Sequence, residues 1–255
     1  MTKKKTKIDY WVSLEKLLEA GSHFGHQTQR WNSKMAPYIW KAKEGVHIFD
    51  LAQTAEKLKE ACLAVEDLVS QGKKIVFVGT KRQAQAIIKE EAEKLGIPHV
   101  TNRWLGGTLT NWQQIKKSLD RLKEMEEKKE KGEYDKYTKK ENILIQREIN
   151  RLRRIVGGLR DLEEIPDALF IVDCRREKTA FKEAKDKGLL VFAIVDSNCD
   201  PEGVDHLIPA NDDAVRSIKL IVEKFSEAVN QGLQLAEKKG KTKKSEDQDK
   251  KKEKK

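Results

Sequence analysis

Residues 74–80 read KIVFVGT, and the apolar residues Ile75 to Val78 follow one another with no polar residue between them. Such a run, rich in β-branched side chains, predicts a short strand buried on both faces, because a half-exposed strand would alternate apolar with polar. Two later stretches have the same character, ALFIVD at 168–173 and LLVFAIVD at 189–196. VHIFDL (46–51), PHV (98–100) and HLIPA (206–210) are weaker strand candidates. Between the runs the apolar period lengthens to that of helices. Thr54 reads as the cap of a stripe formed by Leu58, Ala61, Cys62, Val65 and Leu68, and 82–95, 177–187 and 212–230 pattern similarly. Strand and helix in alternation require right-handed parallel crossovers, which predicts a doubly wound, three-layer α/β domain on a parallel sheet.

One segment breaks that rhythm. Ile115, Leu119 and Leu122 are spaced four then three, and Ile145, Ile149, Leu152 and Val156 repeat four, three, four. This narrow seam predicts an inserted antiparallel coiled-coil hairpin over 112–156, with KGEYDKY (131–137) as its turn. At about 1.5 Å per residue, such helices extend roughly 30 Å. Gly106 and Gly107 precede the first helix, Gly157 and Gly158 follow the second, and the two pairs are expected to form the hinge.

The net charge of +10 lies on the appendages. TKKKTK at the start holds four lysines and no acid, the stretch from Glu237 to Lys255 has ten lysines against five acids, and Gln113 to Val156 has fourteen Lys and Arg against nine Asp and Glu. The rest of the chain is slightly acidic. A polyanion held by such projections is the natural partner, since each cation that neutralises a phosphate releases a counterion. A lysine-rich tail taken alone serves solubility equally well. No apolar run reaches membrane-spanning length, and IDYWVSLEKLLEAG after the first lysines is amphipathic, unlike a secretory leader; a cytosolic chain is expected. Cys62, Cys174 and Cys199 are odd in number and lack CxxC spacing, so neither a disulfide framework nor a zinc ribbon is indicated. Cys174 and Cys199 follow consecutive strands and are expected to lie near each other as free thiols.

In an open parallel sheet, ligands bind beyond the carboxyl ends of the strands. There lie GTKRQ (79–83), DCRRE (173–177) and DSNCD (196–200). Asp173, Asp196, Asp200, Asp205 and His206 make a nominal metal or acid–base set, but strand-end aspartates more often cap the next turn. VGTKRQAQ lacks the GxxxxGK[ST] loop, and no GxGxxG occurs. His23 and His26 in GSHFGHQ supply two donors, too few to close a metal site. No catalytic residue, metal or cofactor is assigned. An α/β enzyme acting on a nucleotide or sugar phosphate through these carboxylates is the alternative.

A basic and aromatic pattern remains. HQTQRWNSKMAPYIWKAK (26–43) interleaves Arg30, Lys34, Lys41 and Lys43 with Trp31, Tyr38 and Trp40, while NRWLGGTLTNW (102–112) adds Arg103, Trp104 and Trp112. Such mixtures suit RNA. The strand-end cations Lys81, Arg82, Arg175 and Arg176 and the helix cations Arg151, Arg153 and Arg154 complete the candidate RNA-binding set. Most of the rings are assigned to packing.

LLEAGSHFGHQTQRWNSKMAPYIW, GVHIFDLAQT, VFVGTKRQAQ, RWLGGTLTN, PDALFIVD, AIVDSNCDP and IPANDDAVRSIKLI, in this order, resemble the signature blocks of the bacterial small-subunit ribosomal protein two family, from about Leu14 to Gly232. The resemblance implies a Rossmann-like/flavodoxin-like body with an inserted coiled-coil hairpin, no catalysis, and a place on the solvent side of the small subunit between head and body. It also implies contacts with small-subunit ribosomal RNA and neighbouring small-subunit proteins, and recruitment of the mRNA-binding ribosomal protein one. Gln29, Cys174 and Ala210 stand where arginine, proline and glycine are usual. The expected organisation is a basic arm over 1–10, a discontinuous body over 11–111 and 157–232, the hairpin, and a disordered lysine-rich tail over 233–255.

Overall fold

From the N-terminus run α1 (Leu14–Glu19), β1 (Phe24–Gln27), β2 (Ile39–Lys43), β3 (Val46–Phe49), α2 (Leu51–Ser70), β4 (Ile75–Val78), α3 (Gln85–Leu95) and β5 (His99–Val100). Then follow α4 (Trp112–Glu130), α5 (Lys139–Val156), β6 (Ala168–Val172), α6 (Lys178–Asp186), β7 (Leu190–Val195), β8 (His206–Pro209) and α7 (Val215–Lys252). The structure, a computed structural model, describes residues 9–252, with side chains through Lys239.

The three continuous apolar runs are β4, β6 and β7, and they lie side by side in a five-stranded parallel sheet of order β5-β4-β6-β7-β8. Counted among themselves, these strands follow the order 2-1-3-4-5, so the chain reverses direction across the sheet between β4 and β6. Both faces are covered, as the lack of alternation requires. Ile75, Phe77, Phe170 and Phe192 pack on one side with α2, α3 and α7. Val76, Val78, Leu169, Ile171 and Val191 pack on the other with α4, α5 and α6. Phe170 stacks on Phe225 of α7 with ring centroids 4.3 Å apart.

Several expectations are corrected. Asp50, not Thr54, is the N-cap of α2, its side chain accepting from the Ala52 N–H. Thr54 lies one turn inside, fully buried, and its hydroxyl donates to the Pro209 carbonyl at 2.6 Å, tying α2 to β8. VHIF forms β3 of a separate antiparallel sheet, order β1-β3-β2. Glu44 and Gly45, both with positive φ (52° and 77°), turn β2 into β3. The body begins at Tyr10, which is buried with its hydroxyl donating to Glu66. It also passes residue 232, because α7 continues the apolar stripe through Leu233, and Lys239 donates to the Ser70 carbonyl at 3.2 Å. Helix, not irregular chain, runs on to Lys252. Residues 1–8 of the basic arm and 253–255 of the tail lie outside the described residues.

The segment 112–156 is two helices packed against each other. Ile115, Leu119 and Leu122 of α4 and Ile149, Leu152 and Val156 of α5 are buried together. Polar links run antiparallel: Arg153 donates to Glu126 at 2.6 Å, and Lys129 reaches Gln146. Thr138 and Glu141 form a reciprocal capping box at the start of α5.

Of the four glycines expected to form a hinge, two have a geometric requirement. Gly107 has φ +90°. Gly158 lets the chain after α5 pass so close to β5 that an added Cβ would lie 2.2 Å from the His99 carbonyl oxygen. Gly158→Ala is therefore expected to cost about 1–3 kcal/mol in urea denaturation, as overpacking against backbone does. Gly157→Ala, where φ is −58° and the nearest atom is the movable Arg153 Cγ, should be close to neutral. Equal losses in the two variants would refute this account.

Candidate nucleic-acid interface

The crevice at the carboxyl ends of β4 and β6 is where a fold of this order takes a ligand. Here the chain fills it with its own charges. Lys81 follows β4 and is only 8% exposed; its Nζ lies 2.6 Å from Asp212, 2.6 Å from Asp213 and 3.4 Å from Asp173. Lys81 therefore leaves the RNA-facing set, since its ammonium is consumed inside. Asp173 closes β6 with φ +68°, a left-handed turn that aspartate tolerates, and its carboxylate accepts from the Arg176 N–H at 3.0 Å. Asp196, at the end of β7, accepts from Ser197 and from the Asp212 N–H. His26 bridges the two sides, with Nδ1 3.0 Å from Asp196 and Nε2 3.4 Å from Asp213. The hydrogen bond to Asp196 raises the His26 pKa despite burial. Burial, then the neighbouring Asp196 and Asp173 charges, push the Asp212 carboxyl up to about 7 against the pull of Lys81.

The backbone N–H that would greet a phosphate after β4 is also taken. Thr80 donates its N–H to the buried Glu177 carboxylate at 3.0 Å, and its hydroxyl donates to the same oxygen. Arg176 completes the cluster with a 3.2 Å bond from Nε to the Thr80 hydroxyl. Asp173, Cys199 and Asp212 bring three donor atoms within 4.8 Å of one another, as a metal requires. Against that use, the Lys81 ammonium already faces two of the three, and burial with the Asp173 charge pushes the Cys199 thiol up to about 12, far from thiolate. Cys62, Cys174 and Cys199 are free and buried. Asp200 and His206 stand apart from this cluster: Asp200 pairs with Lys34, and the His206 ring stacks on Phe192. Asp205 accepts from the Val191 N–H.

NRWLGGTLTNW wraps an anion, but an internal one. Glu183 of α6 accepts from the N–H groups of Gly107 (2.7 Å), Leu109 (2.8 Å) and Thr110 (3.2 Å) and from the Trp104 indole (3.3 Å). Burial pulls its pKa upward, but these donors outweigh burial and leave it lowered. Sequence reading missed Glu183; its only signal is a carboxylate inside the Ala180–Ala184 stripe of a short amphipathic helix. Trp104 is a packing ring, as expected, whereas Trp40 is 65% exposed with the Lys41 ammonium 3.9 Å from its centroid.

The remaining candidate cations lie on the surface. Lys34 is paired with Asp200 and Glu202, Arg151 with Glu148, Arg153 with Glu126, and Lys43 lies 3.9 Å from Glu44. Arg30, Lys41, Arg82, Arg103, Arg154 and Arg175 are exposed and have no ion-pair partner among the described residues. They are spread over the antiparallel sheet, the strand ends, the 102–112 loop and α5, so the structure gathers them into no single pocket. No helix among the described residues is long and apolar enough to cross a membrane. The crevice at the strand ends is thus filled by the chain's own ion pairs, and the unpaired cations lie outside it. The family model described as Ribosomal protein S2 matches residues 17–232, and the chain belongs to that family of structural small-subunit ribosomal proteins.

Proposed function

We propose that the chain binds small-subunit ribosomal RNA through dispersed exposed cations, with α4 and α5 as a coiled-coil docking arm hinged at the two glycine pairs. Neighbouring small-subunit proteins, among them the mRNA-binding ribosomal protein one, cover other parts of its surface in the cytoplasmic ribosome. The observation that carries this reading is the contrast between Lys81, locked among carboxylates, and Arg82, Arg103, Arg154 and Arg175, which are exposed and unpaired among the described residues. Fixed cations without internal partners meet phosphate at little desolvation cost.

Affinity for small-subunit RNA is expected to fall by about 0.7–0.9 log units per log unit of salt for each phosphate contact. Replacing Arg103 and Arg175 together by alanine should shorten that slope by about two contacts while leaving the melting temperature nearly unchanged. A slope identical to the parent's would remove these arginines from the interface. An arm in which 124–147 is replaced by a short glycine–serine turn keeps the buried Ile115, Leu119, Leu122, Ile149, Leu152 and Val156, and should fold yet enter small subunits poorly. Full incorporation would show that the arm is not a docking element.

A further inference from the structure

An open cleft of about 750 Å³ lies where the base of the α4–α5 pair meets α3 and β5, on the side of the sheet away from the β7 and β8 ends. Its walls carry four cations, Lys89, Arg153, Arg154 and Arg160, against two carboxylates, Glu93 and Glu126. Glu126 is nearly buried and is claimed by Arg153 and Arg160 together, and Lys89 lies 3.7 Å from Glu93. Arg154 alone brings an uncommitted charge to the rim.

The amides lining the cleft are each half used. Gln85 donates to the Thr80 carbonyl, leaving its side-chain oxygen open. Asn102 donates to the Arg154 carbonyl, which leaves another acceptor. Asn150 accepts from Gln146, leaving an N–H₂ donor. Buried Val100 and Leu122 supply a small apolar floor. Gly158 passes against His99, where a side chain would not fit, and so shapes this wall of the cleft.

We propose that this cleft seats one unpaired nucleotide of an RNA strand, with its phosphate on Arg154, its base edge against the amides of Gln85, Asn102 and Asn150, and one base face on the apolar floor. A volume of this size falls in the range of about 300–1,000 Å³ typical of small-ligand sites. Donors and acceptors side by side match a base edge, and an exposed base edge exists only where the RNA is unpaired. A protein anchor would call for a larger apolar lining than Val100 and Leu122 provide. The exposed Arg103, next to Asn102 in sequence, gives the continuing strand its next phosphate contact. This inference rests on the RNA-binding reading above and narrows it to a site.

The test uses the full chain, a uridine hexamer carrying one 4-thiouridine, a longer and stably paired RNA duplex containing the same labelled run, 5′-AMP and inorganic phosphate. Photocrosslinking of the single strand is expected to map to residues 99–102 and 150–158. Arg154→Ala keeps the Asn102 bond, which goes to the backbone, and should weaken single-strand binding about tenfold while changing duplex binding less than twofold. Asn102→Ala should weaken the single strand without altering the salt slope. Equal loss of single-strand and duplex binding, crosslinks elsewhere, or displacement of the hexamer by equimolar inorganic phosphate would overturn the proposal, whereas 5′-AMP, which carries both a phosphate and a base edge, is expected to compete. Binding of intact ribosomal RNA to the parent chain is measured separately. If it persists while the cleft shows no crosslink, the cleft proposal falls alone; if neither is seen, both readings fall.

Discussion

Replacing Lys81 by methionine is expected to destabilise the fold by about 3–5 kcal/mol at pH 8, the range for removing one partner from a buried ion pair. The variant leaves Asp212, Asp173 and Asp213 facing one another without the ammonium that lies 2.6–3.4 Å from them. The sign with pH follows from Asp212. Its folded pKa, about 7, is above the ordinary 3.8, so the folded state binds more protons between these values and the Asp212 contribution to stability declines as pH rises from about 4 to 7. Without Lys81 the carboxyl is held still higher, so Lys81→Met should recover stability as pH falls from 8 towards 5, where the parent changes less. His26 runs with it: its raised pKa gives stability that is complete below its ordinary 6.5 and fades as pH climbs through the folded value. Urea titrations of parent and variant across pH 5–8 check this, and parallel curves would show that Lys81 does not neutralise the cluster.

The second large effect is expected at Glu183. Glu183→Gln should cost about 2–4 kcal/mol, because a neutral amide replaces a carboxylate that holds three backbone N–H groups and an indole, and hydrogen bonds to charged groups are the stronger kind. The folded pKa of Glu183 is depressed below its ordinary 4.5, so its contribution is complete above that value and is lost as pH falls through the folded value. Parent and variant denaturation curves should therefore differ at pH 7 and converge in acid. A constant difference down to pH 3 would mean that the loss comes from shape and not from charge.

These two residues also mark where sequence reading stops. The parallel strands were legible because burial on both faces leaves a continuous apolar run, as in Phe170 to Val172 or Val191 to Val195, and the helices because Leu58, Ala61, Val65 and Leu68 repeat on one face. β1 and β2 were not, since each has exposed residues on both faces and relies on β3 for its pairing. Lys81 looked like a phosphate ligand because its neutralising partner, Asp212, lies 131 residues away in sequence. Glu183 went unread because its hydrogen-bond donors come from a loop 73–79 residues upstream. Charge counts along a chain cannot tell a cation committed inside from one free outside; only the fold separates Lys81 from its neighbour Arg82.

The close approach of Gly158 to His99 and the bond from Thr54 to Pro209 lie at opposite ends of the sheet, on its two outermost strands, β5 and β8. β5 is only two residues long and is overlaid by the turn at Gly157–Leu159, while β8 ends in a proline that has no N–H and whose carbonyl is already occupied. A two-residue β5 gives a foreign strand little backbone to pair with, and α2 is tied to the C-terminal end of β8 through Thr54. For a chain so rich in apolar parallel strands, short edges of this kind limit sheet-to-sheet aggregation in the interval before the new polypeptide enters the small subunit.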